Sequence, residues 1–287
     1  MKINRKPTDL KTLRTAAWLG WMIESNWTDP FVFAIYAIIV PISQAAILIV
    51  MYLVIRGGDF SSADFVNMYI GNAFYLMVGA TLQGVSFGIL DDREHYRTLK
   101  YIYIAPLKVP VYLLGRSVAS MLVSSLSVLI TLIFGVVFLH LPLSLAAVNW
   151  RLLAATLALG LVTLVSLGII LGGWILLIRN NAWQLGGAVG LGLFIFSGAV
   201  FPITLLPGVL QVVGYSLPIG YWLTLIRRAV VPAAGQVYPM FTNLSNEQLL
   251  LILVGFGVVY MVAAWLLFKR FDKTARENGM IDMVSNY

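Results

Sequence analysis

Six apolar runs, near residues 31–55, 65–90, 111–139, 151–178, 183–201 and 249–268, constrain this chain more than any other feature. A helix needs roughly 20 mostly apolar residues to cross about 30 Å of hydrocarbon, and the runs reach that scale. No stretch shows the short-period alternation of a membrane β-barrel, so the runs predict helices. Composition agrees: 60% of the 287 residues are hydrophobic and 11% charged, with a mean hydropathy of +0.89. Soluble domains carry roughly 25% charged residues. The expected fold class is all-α and polytopic, with six transmembrane helices over residues 31–268.

An even number of spans puts both termini on one side, and the basic residues say which. Lys2, Arg5, Lys6, Lys11 and Arg14 precede the first span, and Arg93, Arg97, Lys100, Lys108 and Arg116 fall between the second and third. Arg179 follows the fourth, and Lys269, Arg270, Lys273 and Arg276 follow the sixth. Only Arg56, Arg151, Arg227 and Arg228 are assigned to the other side. Fifteen against four predicts cytoplasmic termini in an inner (plasma) membrane, with residues 269–287 as a cytoplasmic tail. The net charge of +7 is spread in short clusters beside the spans and forms no single stripe, so no nucleic-acid partner is expected. Cysteine is absent, which removes disulfides and thiolate metal sites. The first 30 residues are basic and broken by Pro7 and Pro30, so no cleaved signal peptide is expected.

Within residues 1–30, positions 8–27 read as an interfacial amphipathic helix. Thr8 suits its cap, Leu10, Leu13, Ala17 and Trp21 recur at helical spacing, and Trp18, Trp21 and Trp27 suit the headgroup level. It is either a plain anchor or a partner contact. Residues 202–232 are apolar but interrupted by Pro202, Pro207, Gly208, Gly214, Pro218 and Gly220. Two short re-entrant helices near the outer face, before the last span, fit better than a seventh crossing. Asn243-Leu244-Ser245 in the following polar loop matches a glycosylation acceptor, a pattern too short to carry weight.

The chemistry that is missing narrows the function. No Gly-x-x-x-x-Gly-Lys-Ser/Thr loop exists to cradle phosphates, and His95 and His140 are assigned to opposite sides, outside any ligand spacing. None of the twelve acidic residues falls mid-span, where ion-coupled carriers keep their carboxylates. A driving force must come from a partner, unless the chain is a non-transporting membrane scaffold. A membrane-embedded enzyme lacks a nucleophile, metal cluster or acid pair.

Several polar and small residues remain inside the spans. Asn72, Gly79, Gln83 and Ser86 project to one face of the second span, and Gln44 follows Pro41 in the first. They either hydrogen-bond to neighbouring helices or line a path, together with the aromatics Phe74 and Tyr75. Gly168-x-x-x-Gly172 and Gly186-x-x-x-Gly190 permit close helix packing, within one subunit or across a dimer. Between the second and third spans, residues 91–107 change from charged to apolar: Asp91-Asp92-Arg93-Glu94 precedes Leu99, Ile102 and Ile104, and Pro106 ends the run. This reads either as a solvated positive loop or as a short helix pressed on the inner face with its charge presented to the cytoplasm.

Over nearly its whole length the chain resembles the permease subunits of type-2 ATP-binding cassette exporters. That family has a Glu-Arg-Glu-x-Gly-Thr-Leu stretch after the second span, followed by a proline, and Asp92-Arg93-Glu94, Thr98-Leu99 and Pro106 match its layout. The chain departs from it at Arg97, where the family usually has glycine, and at Lys100, where an acidic residue is common. A second match is Ser197-Gly198-Ala199-Val200-Phe201-Pro202, then Leu206-Pro207, Pro218 and Tyr221, with Leu217 replacing the usual asparagine.

The resemblance implies that residues 91–107 form a coupling helix, with Asp91, Asp92, Arg93, Glu94, Arg97, Thr98 and Leu99 receiving an ATPase. It implies an outer gate containing Ser197, Gly198, Phe201, Pro202, Pro207, Pro218 and Tyr221. The implied partners are two ATP-binding cassette ATPase subunits, which carry the ATP and Mg, a second permease subunit in a homodimer or heterodimer, and membrane lipid. The chain itself would hold no cofactor or metal and no catalytic residue. Uncharged polar and aromatic walls at Gln44, Asn72, Phe74, Tyr75, Gln83 and Ser86 favour an amphipathic small molecule, drug or lipid as cargo. A lipid-linked polysaccharide or teichoic-acid-type glycan is the alternative.

Overall fold

The computed structural model describes residues 8–25, 30–179 and 181–281, with the side chains of residues 30, 33 and 36 left aside. Lys2, Arg5, Lys6, Pro7 and Trp27, which entered the sequence reading, lie outside the described residues. All regular structure among the described residues is helical: α1 (Asp9–Ser25), α2 (Pro30–Arg56), α3 (Ala63–Leu90), α4 (Leu99–Ile104), α5 (Val109–Leu139), α6 (Trp150–Ile175), α7 (Ala182–Phe196), α8 (Gly208–Tyr215), α9 (Pro218–Val230), α10 (Pro232–Val237) and α11 (Asn246–Glu277).

Local chemistry sets the helix starts. Ser62 and Asn149 accept from the backbone N–H of Phe65 and Leu152 at the heads of α3 and α6. Proline occupies the first turn of α5, α9 and α10, where its missing N–H costs nothing. Ser245 heads α11 in a capping box with Gln248, which accounts for this serine without glycosylation.

Five helices, α2, α3, α5, α6 and α11, are long and apolar enough to cross a membrane. Their outward flanks are apolar, with Ile47 and Val54 on α2, Leu129 and Ile133 on α5, and Leu251 and Trp265 on α11 all exposed. Such a girdle suits lipid, where the backbone must satisfy itself internally as these helices do. The chain is an all-α polytopic membrane protein.

The predicted span at 183–201 is shorter than expected. α7 has 15 residues, about 22 Å at 1.5 Å per residue, and ends at Phe196. Gly198 then adopts a left-handed φ of 69° and Pro202 opens a 3-10 turn at Ile203–Leu205, so the helix cannot continue. The segment expected to break into two short helices forms α8 and α9, bent by 74°; counted together as one span they would bring the total to six.

α3 is the central element. Its buried residues, among them Phe65, Tyr69, Ile70, Val78, Leu82 and Val85, meet α5, α6, α7 and α9. Gly168 and Gly172 of α6 lie against Val85 and Ile89 of α3, so this pair packs within the subunit. Gly190 faces open space, and its carbonyl accepts from the Tyr75 hydroxyl at 2.5 Å.

α1 departs from the expected amphipathic pattern. Leu10, Trp18 and Trp21 are exposed, and the buried line is Thr12, Ala16 and Gly20. Small residues win because α1 lies directly along the first third of α5: a Cβ on Gly115 would stand 2.5 Å from that of Ala16. Close approach needs small side chains, whatever their hydrophobicity. Lys108 ties the start of the pair to Asp9 at 2.7 Å.

Candidate functional site

Three groups of candidate residues are strung along α3. At one end, here the charged end, α3 widens into a π-helical turn over Asp91–His95 before α4. The expectation that this segment turns its charge outward holds for Arg97 and Lys100 but not for Asp92, Arg93 and Glu94. Asp92 is 2% exposed and Arg93 4%. Asp92 accepts from the Tyr112 hydroxyl of α5 at 2.7 Å and from Thr98 at 3.3 Å. Arg93 pairs with Glu94 at 2.7 Å and donates to the Ile175 carbonyl, at the end of α6, at 3.2 Å. Glu94 is itself almost enclosed. Asp91 is half-buried, 3.9 Å from Arg116 of α5. Charge this deep persists only when each group has partners, and here those partners belong to two other helices.

What the charged end presents outward is His95, Tyr96, Arg97, Lys100 and Tyr101. Arg97 takes a φ of 53°, the left-handed region that disfavours any residue with a Cβ. Leu99 is buried as expected, whereas Ile104 is 80% exposed and does not press on the bundle. Tyr103 takes the inner position: its ring lies under Arg276 of α11 at 4.7 Å, and Arg276 is bridged to Asp272 at 3.0 Å. Burial, and then the Asp272 carboxylate, push the Tyr103 phenol well above its usual range, so it stays neutral. The short α4 is thereby joined to α11, as the turn before it is joined to α5 and α6.

The middle group divides. Asn72, Tyr75 and Gln83 lie on one partly open face of α3 with Gly79, and Tyr75 also meets the Phe194 ring of α7 edge-on at 4.8 Å. Phe74 and Ser86 are buried, and Ser86 hydrogen-bonds back to the Leu82 carbonyl of its own helix at 2.6 Å. These two therefore line no open path. Gln44 is exposed on the flank of α2.

At the opposite, capped end, α9 closes over α3 and α6, α10 packs on α3 and α9, and α8 packs on α7 and α9. Ser197 is buried, donating to the Phe194 carbonyl and accepting from the Ala199 N–H. Beside it, Gly198 leaves no room for a Cβ against Met240. Phe201 and Pro202 are half-buried, Pro207 is exposed at the head of α8, and Pro218 is buried at the head of α9. Tyr221 stacks on Phe241 at 4.2 Å and donates to the Tyr215 carbonyl.

The residue that organises this end is Arg227, which the charge count only assigns to the outer side. It is 0% exposed. Its Nε donates to the Asn67 carbonyl of α3 at 2.9 Å, and its Nη2 to the Gly198 and Ala199 carbonyls at 2.8 Å. The Tyr238 ring covers it at 4.0 Å, and the Tyr238 hydroxyl donates to the Gly198 carbonyl. Arg228 donates to the Phe241 and Leu244 carbonyls, both at 2.8 Å. The signal for both was present: two adjacent arginines inside an otherwise apolar, proline-bounded segment.

Residues 58–266 match the family described as ABC-2 family transporter protein. No curated protein matches the chain. The matched region takes in α3 through most of α11, and so both the charged turn at Asp91–His95 and the cap around Arg227.

Proposed function

The chain belongs to the ABC-2 transporter family, as a transmembrane subunit of an ABC transporter, and on that premise we propose that it serves an ATP-driven exporter. In this reading the charged end is cytoplasmic, both termini face the cytoplasm across the inner membrane, and the capped end faces outward. Two ATP-binding cassette subunits, carrying ATP and Mg, dock beneath two permease subunits, either identical or different. The cargo is an amphipathic small molecule, drug or lipid drawn from the cytoplasm or inner leaflet. The open face of α3 at Asn72, Tyr75 and Gln83 borders its path, and the cap opens to release it.

The observation that carries the proposal is the split in the coupling segment between an outward set and an inward set. His95, Tyr96, Arg97, Lys100 and Tyr101 offer a polar and aromatic docking surface. Asp92, Arg93 and Glu94 turn inward: Asp92 is bonded to α5, Arg93 to α6, and Glu94 holds Arg93. A displacement of the surface is therefore delivered to two long helices through buried, charge-assisted bonds, which are stronger than neutral ones.

The two sets predict different failures. Lys100→Glu with Tyr101→Ala should abolish co-purification with the ATPase. Glu94→Gln should keep the ATPase bound and the protein inserted, yet lower substrate-stimulated ATP hydrolysis and transport by about tenfold, the effect of one lost charge-assisted bond worth about 1.4 kcal/mol. Undiminished transport in Glu94→Gln would overturn the assignment.

A further inference from the structure

A cavity of about 330 Å³ lies at the charged end, under the last turn of α1 and between α3 and α5. Its polar lining includes Glu24 of α1, Gln83 of α3 and Ser120 of α5, and Ile23, Phe87 and Val123 give it an apolar side. Gln83 also stands on the open face of α3, so the cavity is the inner end of that face. Its volume is at the low end for small-molecule sites, about 300–1,000 Å³, which suits a compact polar head and the first part of an apolar body.

Two helices bring unused acceptors to this wall. One Glu24 oxygen accepts from the Ser120 hydroxyl at 3.0 Å; among the described residues the other accepts nothing, and no cation pairs with the carboxylate. The Gln83 amide likewise makes no hydrogen bond among the described residues, and its oxygen can accept. The guanidinium in the lining, that of Arg116, is already committed, because it lies beside both Asp91 and Asp92. Two carboxylates around one guanidinium leave that group negative before Glu24 is counted. An anionic head entering the cavity would therefore be repelled and a cationic one attracted.

We propose that this cavity binds the ammonium head of a cationic amphiphile, with Glu24 as its counter-ion and the Gln83 oxygen as a second acceptor. The Phe87 ring offers the head a π face, and Ile23 and Val123 take the adjoining methylene groups. Gly84 keeps the anchor in place: a Cβ there would strike the Ser120 hydroxyl that holds Glu24. The walls are protein and, beyond them, hydrocarbon, so the effective dielectric is well below that of water and one placed carboxylate separates charged from neutral heads. Binding itself does not depend on the exporter reading. Its consequence for cargo does rest on that reading: the transported amphiphile is cationic, which favours a small amphiphile carrying an amine over a phosphate-bearing glycan chain.

The test uses the purified full-length chain in a neutral detergent and three probes of similar size: phenylbutylamine, which is protonated at neutral pH, phenylbutanol and phenylbutyl phosphate. The amine should bind about tenfold tighter than the alcohol, and the phosphate more weakly than either. Glu24→Gln keeps the length of the side chain and its acceptor for Ser120, so it should erase the amine's advantage while leaving binding of the alcohol unchanged. Equal binding of amine and alcohol, or an advantage that survives Glu24→Gln, overturns the proposal. If Glu24→Gln loses the alcohol as well, the cavity itself has collapsed and Glu24→Asp decides: an amine preference retained there supports the proposal, and its absence overturns it. In the assembled transporter the amine should stimulate ATP hydrolysis by the parent and not by Glu24→Gln. An amine that binds without stimulating removes the inference about cargo and leaves the site. Binding that fails while Glu94→Gln still uncouples transport removes the site and leaves the exporter assignment.

Discussion

Both ends of the helix bundle bury arginine, and they satisfy it by different means. At the capped end Arg227 is held by three backbone carbonyls and a tyrosine ring, with no carboxylate in its hydrogen-bond set. At the charged end Arg93 is held by Glu94 and by the terminal carbonyls of α6, and Arg116 stands loosely beside Asp91. Backbone carbonyls are fixed by the helices and turns that carry them, so the Arg227 network joins α3, α9 and the 198–199 turn into one block. Side-chain carboxylates can rotate and exchange partners, so the charged end can rearrange without unfolding. The difference separates a rigid cap, which would move as a unit if it moves, from an end where force can be redistributed.

The most severe test of that contrast is to empty the cap of its guanidinium. Arg227→Met leaves the Asn67, Gly198 and Ala199 carbonyls without this donor in a fully buried place. Tyr238 still donates to the Gly198 carbonyl, but three hydrogen bonds from a charged group are lost, each worth about 1.5–3 kcal/mol, so the loss should be about 3 kcal/mol or more. The expected outcome is a large fall in thermal unfolding temperature in detergent and rapid proteolysis within residues 198–241. Arg227→Lys should fall between, because an ammonium lacks the planar fork that reaches two sets of carbonyls at once. A variant as stable as the parent would show that the cap is held by its apolar contacts, such as Trp222 and Ile226, and not by Arg227.

A smaller and different effect is expected at the other end. Tyr112→Phe removes one hydrogen bond to the buried Asp92 carboxylate, worth about 1.5 kcal/mol. If the charged end is a transmission element, the stability change should be modest and the loss should appear mainly as ATP hydrolysis that no longer responds to substrate in the assembled transporter. Stability and coupling falling in proportion would instead make Asp92 a structural anchor of the same kind as Arg227.

Much of this architecture was legible in the sequence, for reasons that also explain the errors. Apolar length identified α2, α3, α5, α6 and α11, because hydrocarbon thickness acts on each helix separately. The proline and glycine spacing in 202–232 identified the broken helices α8 and α9, because those residues act on their own backbone. What failed depended on neighbours. Arg227 and Arg228 were counted simply as outer-side charges, since a charge census cannot see that carbonyls from α3 and the 198–199 turn converge on Arg227 and those of Phe241 and Leu244 on Arg228. Ser86 was grouped with Asn72 and Gln83 by helical angle, yet it is fully buried and its hydroxyl turns back to the Leu82 carbonyl of its own helix. In α1 the large apolar residues drew attention from Ala16 and Gly20, whose small size has meaning only once Gly115 is known to lie opposite.

The smallest effect concerns a departure from the family pattern that the backbone explains. Arg97 stands where glycine was expected, and its φ of 53° is a conformation in which glycine has no penalty and arginine has one. The side chain is exposed and enters no ion pair among the described residues, so its removal should cost no packing. Two terms then oppose each other in Arg97→Gly: relief of left-handed strain, about 1–2 kcal/mol, and the greater entropy of glycine in the unfolded chain, about 0.5–1 kcal/mol. The balance favours the glycine variant by about 0–1.5 kcal/mol, read as slower amide exchange at Tyr96, Thr98 and Leu99. If Arg97 also belongs to the docking surface, the same variant should bind the ATPase more weakly although its loop is more stable. Those opposite signs separate a residue kept for its contact from one merely tolerated in its turn.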